Sequence, residues 1–339
     1  MELQEMLREL CLAPGVGGQT AATETAARLL SAYTDEIEIS PLGNVLGIMR
    51  CGRDNAPVMM LEAHIDQIGF VVTGVEDGFL RVAPCGGIDP RTLAAMEVVV
   101  FGDKPYPGVF ASTPPHLAGD KKGVLPVEEG LIDVGMKQDQ AAAAIAVGSR
   151  VGFRPRFAVM GKHGVTGSSL DDRCGVAAVL WAVDTLAKEE LDVDIAVCFA
   201  VQEELGTRGA GTGAFALEPD AAIAVDVSFA YTPDADRREC GKLGGGPMIG
   251  VSPGLDEAYS RRLVALAKAQ DIPFQQEIMG GKTGTDADVI GVAGPGVRTA
   301  LLSIPQRYMH TPVEVVDLRD VANTGRLIAA FVREGGVDA

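Results

Sequence analysis

Cationic residues are scarce in this sequence. Lys and Arg total 29 against 46 Asp and Glu, a net charge of −17. A surface so acidic repels nucleic acid and anionic lipid, so neither is expected as a partner. The excess would attract metal cations or the charged amino termini of peptides, but it serves solubility equally well, and charge alone does not separate the two. Long apolar runs are also missing; none approaches the roughly 20 residues needed to span a bilayer. The opening MELQEMLREL has neither the basic start nor the apolar stretch of a signal peptide, which leads to the expectation of a cytoplasmic protein. The six cysteines (Cys11, Cys51, Cys85, Cys174, Cys198 and Cys240) form no CxxC pair, which argues against a disulfide framework. Aromatics, at 5%, are too few to suggest a cleft that stacks sugars.

What is present is a sizeable core. Hydrophobic residues make up 47% of 339 positions, and that length fits a main domain plus a smaller one. Leu3, Met6, Leu7 and Leu10 recur at helical spacing, and Pro14–Gly18 breaks the pattern. A second helix is expected over Ala21–Tyr33, then short strands at Glu36–Ser40, Asn44–Met49 and Pro57–His64. From 67 to 160 the texture changes to short alternating segments separated by Gly and Pro, as in PCGGIDP and GDKPYPG. This reads as an inserted small β-barrel or sandwich. After 161 an α/β pattern returns. Cys174–Ala187, Arg261–Ala269 and Val321–Val332 look helical, and Asp194–Val201, Ala221–Val227 and Thr299–Ile304 read as strands. The near-continuous apolar runs among them suit strands covered by helices on both faces. The expected fold is therefore α/β: a mixed, mainly parallel sheet over residues 1–66 and 161–339, with the β domain inserted at 67–160.

Polar residues with metal-ligand chemistry gather at the ends of these runs. PVMMLEAHID delivers His64 and Asp66, SSLDDRCG delivers Asp171 and Asp172, and IAVCFAVQEELG delivers Glu203 and Glu204. AAIAVDVS delivers Asp226, and ALLSIPQRYMHTPVE delivers His310. In open α/β sheets the carboxyl ends of the strands form the ligand crevice. Each motif alone has a plain explanation: a capped turn at His64, a helix N-cap at the aspartate pair, a solvated strand end at the glutamates. Asp226 is harder to dismiss, since a carboxylate after an apolar strand is costly without a partner. Two His and several carboxylates, without Cys, suit a hard-to-borderline divalent ion. Five ligands are too many for one tetrahedral zinc, whereas two ions sharing one carboxylate would use them all.

AHIDQIGF, SSLDDRCG, QEELGTRGA, AVDVS and YMHTPVE, in this order, resemble the M42 family of metallo-aminopeptidases, the glutamyl or TET aminopeptidases. LCLAPGVGG, TPPHLAGD and GTDAD also resemble family segments. The resemblance implies a dinuclear zinc-peptidase-like fold and two divalent ions per subunit, zinc or cobalt. His64 and Asp226 would hold one ion, Glu204 and His310 the other. Asp171 would bridge both, through a residue whose peptide bond to Asp172 is cis. Asp66 would orient His64, and Glu203 would act as general base on the water that hydrolyses the first peptide bond. Gly284, Thr285 and Asp286 would line the substrate pocket. The insertion would serve dimerisation, and relatives build assemblies from dimers to a tetrahedral dodecamer.

The sequence departs from the family pattern at Gln67, where Glu is usual, in KTGTDAD, and in GKHGVTGSSLDD with its His163. His163 reads as a loop histidine and His116 as structural or near the barrel's interface. A deacylase or aminoacylase of the same dinuclear architecture, or a non-catalytic shell protein, remains as an alternative function.

Overall fold

The computed structural model describes residues 1–114, 116–117 and 123–337; Pro115 and Ala118–Asp120 of the TPPHLAGD segment lie outside them. Helices α1 (Leu3–Leu12) and α2 (Thr20–Leu30) precede strands β1 (Glu36–Ile39), β2 (Val45–Met49) and β3 (Val58–His64). Next come β4 (Gly69–Glu76), β5 (Phe79–Cys85), β6 (Glu97–Phe101), β7 (Pro105–Phe110), β8 (Leu131–Asp133), α3 (Gln138–Ala144) and β9 (Arg150–Phe153). The chain continues with β10 (Phe157–Met160), β11 (Gly164–Gly167), α4 (Leu170–Leu186), β12 (Asp194–Ala200), α5 (Arg208–Leu217) and β13 (Ala221–Phe229). It ends with β14 (Met248–Val251), α6 (Glu257–Ala269), β15 (Gln275–Ile278), α7 (Ala287–Ile290), β16 (Arg298–Arg307), β17 (Glu314–Asp317) and α8 (Leu318–Arg333).

An 11-stranded sheet runs β1-β2-β12-β3-β13-β16-β17-β11-β10, with β14 added beside β16 and β15 beside β14. Its centre, β12-β3-β13-β16, is parallel. These four strands are buried along almost their whole length, which is why they read as continuous apolar runs. One face is covered by α1, α2, α4, α6 and α8. The other, smaller layer holds α5 and α7. Helix α4 is buried around nearly its whole circumference, while α8 carries a clear apolar stripe. The two meet at Gly325, where a Cβ would stand 2.8 Å from both the Trp181 ring and the Ala178 carbonyl oxygen.

The second unit is a closed six-stranded barrel, β4-β5-β8-β7-β6-β9. Phe70 is its hub, with ring centroids 4.9 Å from Phe110 and 5.8 Å from Phe153. The barrel strands stop at Phe153. Phe157–Met160, expected inside the insertion, pairs instead with β11 at the edge of the large sheet, Phe157 opposite Gly167. Alternation marks a strand but not the sheet it joins, so the boundary set at 160 falls one strand late. Among the described residues no helix is long and apolar enough to cross a membrane.

Replacing Gly325 by Val should force α4 and α8 apart and cost about 1–3 kcal/mol. Denaturant unfolding measures this, and an unchanged midpoint would show that the two helices do not depend on close approach there.

Candidate metal centre

The parallel strands all point their carboxyl ends to one rim. His64 is the last residue of β3, Glu203 and Glu204 follow β12, Asp226 lies near the end of β13, and His310 follows β16. Asp171 enters from the start of α4. The backbone of Asp171 and Asp172 is not yet helical, and the peptide between them is cis. The Asp172 carboxylate then accepts from the Gly175 N–H at 3.0 Å. The two readings of the aspartate pair thus divide between them: Asp172 caps the helix and Asp171 faces the rim.

The rim residues converge. His64 Nε2 lies 3.1 Å from Asp171 Oδ1 and 3.9 Å from Asp226 Oδ1. His310 Nε2 lies 3.4 Å from both Asp171 Oδ2 and Glu204 Oε2. Two donor groups result, His64–Asp171–Asp226 and Asp171–Glu204–His310, each with all donor atoms within 4.8 Å of one another. Asp171 belongs to both and offers a different oxygen to each.

A framework of hydrogen bonds sets these side chains. Gln202, at φ 62°, turns the chain sharply as it leaves β12. The next N–H, of Glu203, donates to Asp66 Oδ1 at 3.0 Å. The same oxygen faces His64 Nδ1 at 3.5 Å, longer than a good hydrogen bond. The Glu314 carboxylate accepts from the Asp171 N–H and from the His310 N–H, both at 3.2 Å. One buried side chain therefore fixes two donors from different elements, and His310 itself is held at φ 60°. Sequence reasoning quoted Glu314 without giving it a role; its position four residues after His310 was the available signal. At the family departure Gln67, the carboxamide oxygen accepts from the Ser169 hydroxyl at 3.1 Å.

The electrostatics of the protein alone are unfavourable. Among the described residues no Lys or Arg lines the cavity. Arg173 is fully buried nearby; its Nη1 donates to the carbonyls of Leu10 and Ala13, while Nε and Nη2 have no hydrogen-bond partner among the described residues. Burial, opposed by His64 and reinforced by Asp171 and Glu203, pushes the Asp226 carboxyl well above its ordinary range. Burial and the Asp171 charge push Glu204 up to about 10. Burial alone would depress His64, but Asp171 and Asp66 hold the imidazole well above its usual value. Asp171 is held low despite burial, because both imidazoles face it. Without a cation this rim stores protons; a divalent ion in each donor group would displace them and satisfy the carboxylates.

The substrate residues expected at 284–286 separate. Gly284 and Thr285 line the cavity, but Asp286 does not; its carboxyl and that of Glu62 act on each other away from the cavity surface. Both are nearly inaccessible, at 2% and 0%, and no oxygen of either carboxyl has a hydrogen-bond partner among the described residues. Burial lifts Asp286 to about 7 and Glu62 well above the carboxylate range. Glu62 escaped notice because it sits inside the apolar run of β3. His163 lies in the β10–β11 turn, where its carbonyl accepts from Leu318 N–H, and His116 is exposed; neither lines the cavity.

Comparison with known proteins accords with this geometry. A family model described as M42 glutamyl aminopeptidase matches residues 43–327. Lysyl aminopeptidase of Pyrococcus furiosus is 37% identical over 341 residues, spanning 97% of this chain and 96% of its own. Aminopeptidase APDkam598 of the archaeon Desulfurococcus kamchatkensis has a TM-score of 0.91 at 35% identity, covering 98% of this chain and 94% of its own. The Pyrococcus horikoshii TET1 peptidase, which can assemble into a tetrahedron or a large octahedral shell, has a TM-score of 0.87 at 30% identity, covering 98% and 100%. Fold and relatives together define a peptide hydrolase of the metal-dependent class. The chain belongs to the M42 family of aminopeptidases, enzymes that hydrolyse peptides from the amino terminus.

Removing the Glu314 carboxylate frees two donors at once. Glu314→Ala should weaken divalent-metal binding by about 10–100-fold, the scale for losing an orienting partner. Competition against a chromophoric chelator reads this directly, and wild-type affinity in a folded variant would deny Glu314 that role.

Proposed function

We propose that this protein is a dinuclear aminopeptidase whose two metal ions share Asp171. The observation that carries the proposal is the split of that carboxylate, one oxygen toward His64 and Asp226, the other toward Glu204 and His310. His64 and Asp226 would hold one ion, Glu204 and His310 the second. Imidazole and carboxylate donors without thiolate suit zinc or cobalt. When bound, the ions supply Lewis-acid polarisation of the scissile carbonyl and lower the pKa of the attacking water.

The chain's own groups do the rest. Glu203 lines the cavity but belongs to neither donor group. Its carboxyl is raised above the ordinary glutamate range by burial, partly offset by His64, which is the direction a general base needs. Glu203 takes the proton from the attacking water at a carboxylate oxygen and delivers it to the nitrogen of the departing amine. Asp66 positions Glu203 through its backbone N–H and faces the far side of His64, so base and ligand are set by one carboxylate. A free α-amino group can bind beside a rim carboxylate, a contact that a neutral N-acyl group cannot match.

The likeness to the TET1 peptidase, which forms closed shells, supports a homo-oligomer of this chain, from dimer to tetrahedral dodecamer, with the barrel contributing contacts. Six unpaired cysteines suit a reducing, cytoplasmic compartment.

Metal-stripped protein should hydrolyse no aminoacyl chromogenic substrate and should regain activity with zinc or cobalt. Glu203→Gln should lose about 10²–10⁴ in kcat while binding the same amount of metal. Wild-type turnover in the Glu203→Gln variant would refute the assignment.

A further inference from the structure

The metal donors occupy one side of a cavity of about 310 Å³; the other side is made of different residues. There the only acid among the described residues is Glu277, on the outlying strand β15. One Glu277 oxygen accepts from the Ser228 hydroxyl, and the other accepts from the Ser303 hydroxyl at 2.7 Å. Both serines are buried, and both are tied to the metal donors by strand register. Ser303 on β16 is the parallel partner of Asp226 on β13, and Ser228 follows Asp226 by two residues, on the same face. A row therefore runs from Asp226 through the two hydroxyls to the Glu277 carboxylate.

Among the described residues this carboxylate forms no ion pair. Two hydroxyls satisfy part of its acceptor capacity, and no Lys or Arg among the described residues lines the cavity. With both ions proposed above in place, their positive charge is matched by Asp171, Glu204, Asp226 and Glu203. Glu277 is left as the uncompensated charge in the pocket. The cavity lining also includes Leu301, on the face of β16 that carries Ser303, and Met309. Apolar walls with an acid at the end match one kind of side chain, a long methylene stem with a cationic tip.

We propose that Glu277 is the specificity-determining residue of the pocket for the substrate's first side chain, and that it selects peptides beginning with Lys or Arg. The proposal rests on the aminopeptidase reading and adds the substrate class. The names of the family model and of the Pyrococcus furiosus relative do not decide it, since they point to side chains of opposite charge. An acidic first residue would meet Glu277 as a like charge, and an apolar one would leave it partly desolvated and unpaired.

The test compares kcat/KM of the metal-loaded enzyme on lysyl, arginyl, norleucyl and glutamyl substrates. Norleucine keeps the stem of Lys and drops the amine. Lys and Arg should exceed norleucine by about 10-fold or more, with Glu lowest. Glu277→Gln should cut the lysyl-to-norleucyl ratio by roughly 30-fold, the scale of losing one partner of a desolvated charge pair, and Glu277→Asp should restore part of it. Calorimetry on the wild-type enzyme gives a readout independent of turnover and of any variant's folding: free lysine should bind more tightly than norleucine. An unchanged ratio in Glu277→Gln, or a wild-type enzyme with no preference for basic residues, would overturn the proposal while leaving the aminopeptidase reading intact. Cleavage of no aminoacyl substrate at all would overturn both.

Discussion

Carboxylates buried at the strand ends, with no Lys or Arg among the described residues that line their cavity, are the constraint around which this molecule is organised. Asp171, Asp226 and Glu204 are withdrawn from water, and the available guanidinium, on Arg173, is turned to backbone carbonyls instead. Leaving such groups charged and unpaired would cost several kcal/mol each. The protein alone can meet that cost only by holding protons, as the raised Asp226 and Glu204 show. The rim is thus poised to exchange protons for metal. A divalent ion held here would be favoured by the carboxylate repulsion it relieves as much as by the donor geometry.

Holding mutually repelling groups within a few ångströms demands a stiff frame. The parallel strands β12, β3, β13 and β16 supply it, since His64, Glu204, Asp226 and His310 each lie on or follow a buried strand hydrogen-bonded on both sides. Glu314 adds the link that the sheet cannot provide, joining the start of α4 to the loop after β16 through two backbone N–H groups. Asp66 does the same between β3 and the turn after β12. The donor positions are therefore properties of the backbone more than of the rotamers, which is the arrangement that preorganised metal sites require.

The donors were visible in the sequence for a specific reason. His64, Glu204, Asp226 and His310 each end or follow an apolar run, so polarity changes abruptly where the strand reaches the rim. Asp171 was visible as half of an unusual pair, although which half faced the site had to come from the fold. Glu62 was hidden because it lies within the run instead of at its end, and strand periodicity does not distinguish a carboxyl buried against Asp286 from an error in the pattern. Glu277 was hidden for the opposite reason. It sits in the short, half-exposed strand QQEI, whose composition suggests only surface. Its place in the pocket depends on β14 and β15 packing beyond β16, a long-range pairing with no local signal. The barrel was legible as a change of texture, but β10 was not assignable, since it looks the same whether it closes the barrel or edges the sheet.

The division of labour within the cavity follows from that topology. Four of the five candidate metal donors hang from central strands, where a shift of backbone would disturb the core on both faces. The side-chain pocket is walled by outlying β15 and by the loop around Thr283 and Gly284, which Asp288 braces through its own carboxylate. A charge at position 277 can change with little strain on the sheet, because the residue is half exposed and held by two hydroxyls. One metal centre can then serve first residues of either charge, which is the physical condition for a family whose members carry names as opposed as lysyl and glutamyl aminopeptidase. Chemistry is fixed where the sheet is rigid, and selectivity is left where the sheet runs out.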